Sequence, residues 1–252
     1  MKTSQGIRIK TLNEVDILRK AGKILSSIVL QLQSSLSIGI STKDIDRKAE
    51  ELIRRHKVVS AFKGYRGFPG VACISVNEGV VHGVPGNRII ADGDIVSLDI
   101  GIIYEGYYSD TAVTLPVGHI SPEVQRLLEV TKSSLARGIE QARVGSRLSD
   151  ISFAVQSFVE MHGFSVVRDF VGHGIGLKLH EEPEIPNYGR AGQGPLLQEG
   201  MVFAIEPMVN MGTHRTRVLS DGWTVVTEDG KPSAHFEHTI VITAQGPEIL
   251  TK

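Results

Sequence analysis

The chain has 252 residues, 41% of them apolar, and a formal net charge of -1. That size supports a large buried core, as one big domain or two fused halves, and the lone cysteine, Cys73, excludes an intrachain disulfide framework and fits a reducing cytoplasm. Interspersed charges give no field for sequence-reading of nucleic acid, no run reaches the ~20 apolar residues of a membrane span, and MKTSQGIRIK lacks a signal peptide's apolar stretch.

Thr11 and Glu14 form a capping-box signature. Apolar residues at helical spacing follow (Val15, Leu18, Ala21, Leu25, Ile28, Val29, Leu32) and predict a helix to about Leu36. A second helix is expected over 42–57, with Ile45, Ala49, Leu52 and Ile53 on one face. From 71 to 118 the pattern turns strand-like in VACISVN, IVSLDIGIIY and GYYSDTAVTLPV, with short Gly, Pro and Asn turns between. Ser121, Pro122 and Glu123 read as N-cap, N1 and N2 of a third helix running to about Ala142. A fourth fits 148–162 and ends at Gly163. Strand-like segments fill the remainder.

Two helices then strands, twice over, is the order of an internal duplication, with halves at about 11–118 and 119–252 of a single domain. GISTKDI from Gly39 lies over GSRLSDI from Gly145, and GDIVSLD from Gly93 over GMVFAIE from Gly200. Asp99 thereby lies over Glu206. Asp110 in DTAVTL is laid over Glu237 in EHTIVI, and His82 in HGVP over His180 in HEEP. An approximate two-fold between the halves would bring all four carboxylates to one seam.

These acidic residues, and His173 in FVGHGIG, interrupt apolar runs destined for a core. Buried carboxylates without partners are costly, and four together repel. A pair of divalent cations is the simplest neutraliser. Oxygen-rich ligation suits Mn, Fe(II), Co or Zn, and bridging carboxylates with one imidazole can hold two metals. Such a pair would acidify a bridging water and polarise a carbonyl, which is hydrolytic equipment. Glu206 could handle the proton. His82 and His180 would flank the metals and hydrogen-bond the substrate or its oxyanion. His238 is expected on the other sheet face. The glycines around His173 admit close backbone approach, which suits a ligand. Tyr65, Phe68, Cys73 and Trp223 suggest an apolar pocket beside the metals, while Phe62 reads as ordinary core.

The motifs SVNEGVVHGVP, DGDIVSLDIG, GHGIGLKLHEEP, AIEPMVN and DGWTVVTEDGKPSAHFEHTIVIT together resemble the type I methionine aminopeptidases, over essentially the whole chain. The resemblance implies an α+β pita-bread fold: two pseudo-symmetric halves, a curved antiparallel sheet inside and helices outside. It implies hydrolysis of the initiator methionine from nascent chains in the cytoplasm. Asp99, Asp110, His173, Glu206 and Glu237 match the family's dimetal ligands, His82 and His180 its substrate-contacting histidines, and Glu206 its proton-handling residue. Tyr65, Phe68, Cys73 and Trp223 match the methionine pocket. A monomer is the default, and a transient ribosome contact suits the activity, although no basic tail argues for it. An N-terminal zinc-binding extension and the helical insertion of the type II enzymes are expected to be absent. Leu177, Leu179 and Phe62 depart from the usual family residues and bear on pocket shape. The rival readings are an Xaa-Pro aminopeptidase or dipeptidase of the same fold, flavoured by DIGIIYEGYYSDT, and a non-catalytic binding module on that fold.

Overall fold

The structure, a computed structural model, describes residue 3 and residues 6–252. The reading of MKTSQGIRIK as no signal peptide therefore falls partly outside the described residues. The first half holds α1 (Leu12–Ser35), α2 (Thr42–Arg55), β1 (Val59–Ser60), β2 (Cys73–Val76), β3 (Gly79–Val81), β4 (Ile95–Tyr104) and β5 (Tyr107–Pro116). The second holds α3 (Pro122–Gln141), α4 (Leu148–Met161), β6 (Ser165–Val166), β7 (Gly172–Gly174), β8 (Glu181–Ile185), β9 (Val202–Ile205), β10 (Met208–Asn210), β11 (Thr216–Val218), β12 (Val225–Thr227), β13 (Ser233–His235), β14 (His238–Thr243) and β15 (Gly246–Ile249).

The helix starts follow from local chemistry. The Thr11 hydroxyl accepts from the Glu14 N–H while the Glu14 carboxylate accepts from the Thr11 N–H, and Ser41 with Asp44 repeats the device at α2. Ser121 caps α3 with Pro122 in its first turn. The buried stripe of α1 is the predicted one, and α2 closes at Arg55, two residues before the expected end, with Lys57 in the left-handed region.

Strand pairing is antiparallel throughout the described sheets. β4 pairs with β1, β2 and β5; β10 joins β6 and β13; β9 joins β7 and β14, with β8 and β15 at the edges; β12 links β11 to β3 of the first half. Helices cover one face. Val96, Leu98, Ile100 and Ile102 of β4 share a core with Leu25, Ile28 and Leu32 of α1, and Phe203, Ile205 and Ile240 share one with Leu127, Leu135 and Val155 of α3 and α4.

The duplication is visible in the hydrogen bonds. Gly39 N–H donates to the Ile90 carbonyl and Gly145 N–H to that of Leu197; Thr42 N–H donates to Arg88 and Leu148 N–H to Pro195. The β1–β4 pairs Val59↔Ile103 and Ser60↔Ile102 recur as Ser165↔Asn210 and Val166↔Val209. The halves meet through β5. The Thr239 hydroxyl donates to the Asp110 carbonyl and accepts from the Asp110 N–H; the Thr114 hydroxyl does the same for His235.

That reciprocity corrects one equivalence expected from sequence. Asp110 stands opposite Gly101, and His235 opposite Met208, the counterpart of Gly101. The structural counterpart of Asp110 is therefore His235. Glu237 corresponds to Ala112 instead. The expected pairing was two residues out of register, a shift that period-two alternation does not detect because it leaves every side chain on the same face.

Candidate active site

Strand geometry delivers each carboxylate to the seam. Alternation that buries Leu98 and Ile100 beneath the helices turns Asp99 to the opposite face. Asp110 shares that face from β5, and Cys73 of β2 stands directly across from Asp99. Glu206 follows β9, Glu237 precedes β14, and His173 is the middle residue of β7. The flanking glycines are required there. A Cβ at Gly172 would lie 2.5 Å from the Ala204 carbonyl oxygen, and one at Gly174 2.2 Å from that of Glu182. The His173 Nδ1–H donates to the Gly174 carbonyl at 2.9 Å. Its Nε2 is then the bare lone pair, the form suited to a cation.

Ligating atoms of Asp110, His173 and Glu237 all lie within 4.8 Å of one another. Glu206 joins them through Oε1, 3.5 Å from His173 Nε2. Burial, then repulsion from Asp110 and Glu206, holds the Asp99 carboxyl well above the usual range. Burial likewise pushes Asp110 up to about 7. Glu206 and Glu237 are raised by burial first and by the neighbouring acids second. Burial also keeps the imidazoles neutral, His173 down to about 3 and His82 to about 4.

Among the described residues no lysine or arginine pairs with any of these four carboxylates; the recorded ion-pair contacts are Glu206 with His173 and His235. Asp99 Oδ1, Asp110 Oδ1 and Glu237 Oε1 are buried without a hydrogen-bond partner. Orphaned, mutually repelling oxygens beside a bare imidazole nitrogen are the donor set of a hard or borderline divalent cation. The residues fit such an ion.

The same atoms floor a cavity of about 180 Å3. Its apolar wall is Phe62, Phe68, Cys73, Leu179 and Trp223, with Phe68 and Trp223 edge to face at 5.3 Å. His82 enters beside Trp223 from a left-handed backbone conformation, φ 57°, unusual for a residue with a side chain. His180 lies 4.4 Å from His173, centroid to centroid, and its Nδ1 is 2.8 Å from the Tyr65 hydroxyl. Burial, then the Arg66 charge, lowers the His180 pKa. A wider groove of about 580 Å3 adjoins the cavity and shares Arg66, His173 and His180 with it.

An ion pair braces the His180 turn. Glu181 accepts from Lys10 Nζ at 2.7 Å through one oxygen and from the Leu177 and Lys178 N–H groups through the other. The Lys10 side chain is 1% exposed. Removing one partner of a buried pair costs about 3–5 kcal/mol. Lys10→Met is accordingly expected to lower unfolding free energy by that order in a denaturant titration, and a loss below 1 kcal/mol would show that the pair does not hold the turn.

Every residue expected at the site from sequence lines this one cavity: Tyr65, Phe68, Cys73, His82, Asp99, Asp110, His173, His180, Glu206, Trp223 and Glu237. His238 faces away and bonds Thr251. Phe62, read as ordinary core, is buried and also forms part of the wall, while Leu177 is 41% exposed and lines the outer groove only. Two residues escaped the sequence reading. Arg66 stands at the mouth, and His235 is buried with Nε2 3.5 Å from Glu206 Oε2. The signal for His235 was its place two residues before Glu237 in AHFEH.

A two-halved curved sheet closing on a screened, oxygen-rich donor set with an apolar cavity above it defines a cation-dependent hydrolase. The chain belongs to metallopeptidase family M24, whose family model matches residues 16–244. It is 56% identical to a methionine aminopeptidase of Clostridium perfringens, over 97% of this chain and 98% of that protein. It is similar to the crystal structure of a methionine aminopeptidase from Thermotoga maritima, with a TM-score of 0.96 and 46% identity, covering 98% and 99% of the two chains. The prolidase of Pyrococcus furiosus is more distant, with a TM-score of 0.78 and 26% identity, covering 97% of this chain and 65% of that one. The pita-bread fold and the use of divalent metal follow from this membership.

Proposed function

We propose that this chain is a methionine aminopeptidase that removes the N-terminal methionine from nascent proteins and peptides, using two divalent cations. The observation that carries the reading is the apolar-walled cavity lying directly on the carboxylate cluster, so that a side chain in the cavity sets its own peptide carbonyl against the donors. Asp99, Asp110, His173, Glu206 and Glu237 would hold the cations, four carboxylates being suited to bridge a pair drawn from Mn, Fe, Co and Zn. When bound, the cations would polarise the scissile carbonyl and acidify the attacking water.

The remaining work belongs to the chain's own groups. Phe62, Phe68, Cys73, Leu179 and Trp223 receive the methionine side chain and exclude water from it. Glu206, buried beside the cluster with Oε1 3.5 Å from His173 Nε2, takes the water's proton and delivers it to the leaving amine. With the Tyr65 hydroxyl donating to Nδ1, His180 carries its proton on Nε2 and donates to the developing oxyanion, aided by His82. The groove past Arg66 accommodates the following residues of the peptide. Because the site draws on both halves, 1–252 acts as one catalytic unit. We place it in the cytoplasm as a monomer, in transient contact with the ribosome. The single cysteine, buried and unpaired, fits that reducing setting.

The test is a peptide assay after reconstitution with each cation. Met-Ala-Ser is expected to be cleaved far faster than Ala-Pro-Ser, and the norleucine analogue to trail Met-Ala-Ser by no more than about 1–3 kcal/mol in kcat/KM. Preference for Ala-Pro-Ser would assign the chain to Xaa-Pro hydrolysis, and no turnover with any cation would reduce it to a binding module.

A further inference from the structure

His235 is fully buried, and neither ring nitrogen has a hydrogen-bond partner. A buried polar ring left without partners costs about 1–3 kcal/mol, so its retention needs a reason. Its main chain is clamped at both ends of the residue by the Thr114 hydroxyl, 2.8 Å from the N–H and 2.8 Å from the carbonyl oxygen. The matching clamp in the other half, Thr239 on Asp110, puts the imidazole where the first half carries a carboxylate aimed at the cluster. There Nε2 comes 3.5 Å from Glu206 Oε2, while His173 Nε2 lies 3.5 Å from Oε1 of the same carboxyl. Glu206 thus lies between two imidazoles, one facing each oxygen. His173 belongs to the set of mutually close donors with Asp110 and Glu237; His235 does not.

We propose that His235 is a positioning residue that directs an N–H at Glu206 Oε2 and so fixes the rotation of the Glu206 carboxyl, leaving Oε1 toward the cluster. This rests on the reading that Glu206 handles the proton. A carboxyl free to rotate would present either oxygen, and misplacement of a proton-transfer group is costly even when substrate still binds. Partners that orient active-site groups from behind typically contribute about 10–100-fold. The dependence is on a donor in that place, not on an imidazole as such, which separates positioning from packing.

The experiment compares His235→Leu, His235→Gln and Glu206→Gln, each alone and with the Leu and Glu206→Gln changes combined. His235→Leu is expected to lower kcat for Met-Ala-Ser about 10–100-fold with KM within twofold. His235→Gln, whose amide reaches the Nε2 position, restores most of it. Added to Glu206→Gln, His235→Leu has no further effect. In the cation-free protein the Glu206 carboxyl infrared band, identified by its loss in Glu206→Gln, shifts on His235→Leu and stays in place on His235→Gln. If the leucine variant does not fold, His235→Asn, too short to reach Oε2, carries the same expectations. Normal kcat and an unmoved band in the leucine or asparagine variant overturn the proposal. An active Glu206→Gln enzyme overturns the proton-handling reading instead, and the band shift then still reports whether His235 holds the carboxyl.

Discussion

Replacing Glu206 by glutamine lowers kcat for a methionyl peptide by about 10²–10⁴-fold, the range set by loss of a positioned general acid–base. The amide has the same shape and cannot carry the proton from water to leaving amine. The fold survives because the substitution removes one member of a repelling group: the Glu206 carboxyl lies against Asp110 and the other acids, and its burial already holds its pKa well above the usual range. The glutamine NH₂ can donate to only one of the two imidazoles that face the native carboxyl, His173 and His235. Thermal melting of the cation-free variant is therefore expected at or above the parent temperature while turnover collapses. A kcat within a few-fold of the parent removes Glu206 from the proton path.

The second large effect is the opposite pH dependence of the protein with and without cation. A carboxyl whose folded pKa exceeds its unfolded value contributes stability that is whole below the unfolded pKa and is lost as pH rises through the folded one. For Asp110 that window runs from about 4 to about 7, and Asp99, Glu206 and Glu237, raised well above their usual values, add to the loss in the same direction. The buried neutral histidines act in the other direction. His173 and His235 at about 3 and His82 at about 4 lose stability as pH falls below the unfolded value of 6.5. The two groups oppose each other between about pH 4 and 6.5, and above that only the carboxyls titrate. Cation-free protein should consequently weaken as pH rises through about 7, where the histidine contribution is complete and Asp110 still titrates, by up to about 1.4 kcal/mol per pH unit for each carboxyl in its window. Cations compete with those protons, so their stabilisation grows with pH. At 100 times Kd it is about 2.7 kcal/mol, or about 5–10 °C in Tm for a chain of this size. Melting curves from pH 6 to 9 with and without Mn²⁺ check this; parallel profiles would mean that the carboxylates do not bind the ion.

Much of this site was legible because its chemistry conflicts with its surroundings. Asp99 in IVSLDIG and Glu206 in VFAIEPM are carboxylates in segments otherwise built for burial, and the glycines beside His173 marked a close backbone approach that the Ala204 and Glu182 carbonyls make real. His235 was missed for a related reason. A neutral imidazole beside a phenylalanine is unremarkable in an apolar strand, and only the reciprocal Thr114 and Thr239 clamps reveal that it stands where Asp110 stands in the other half. Phe62 was read as core because burial and pocket-lining are the same pattern in one dimension.

By itself the sequence determined where helices start, which strand face each acid occupies, and that two copies of one plan are joined. These are local matters: a capping box spans four residues, and alternation needs no more. Only the tertiary structure decided register, and with it which groups meet. A strand displaced by two residues keeps every side chain on its face while moving it about 7 Å along the seam. That is the difference between Glu237 and His235 as the partner of Asp110. It also decided that Leu177 points to solvent while Leu179 closes the cavity, because that choice depends on a turn held by Lys10, which lies far away in the chain and adjacent in space.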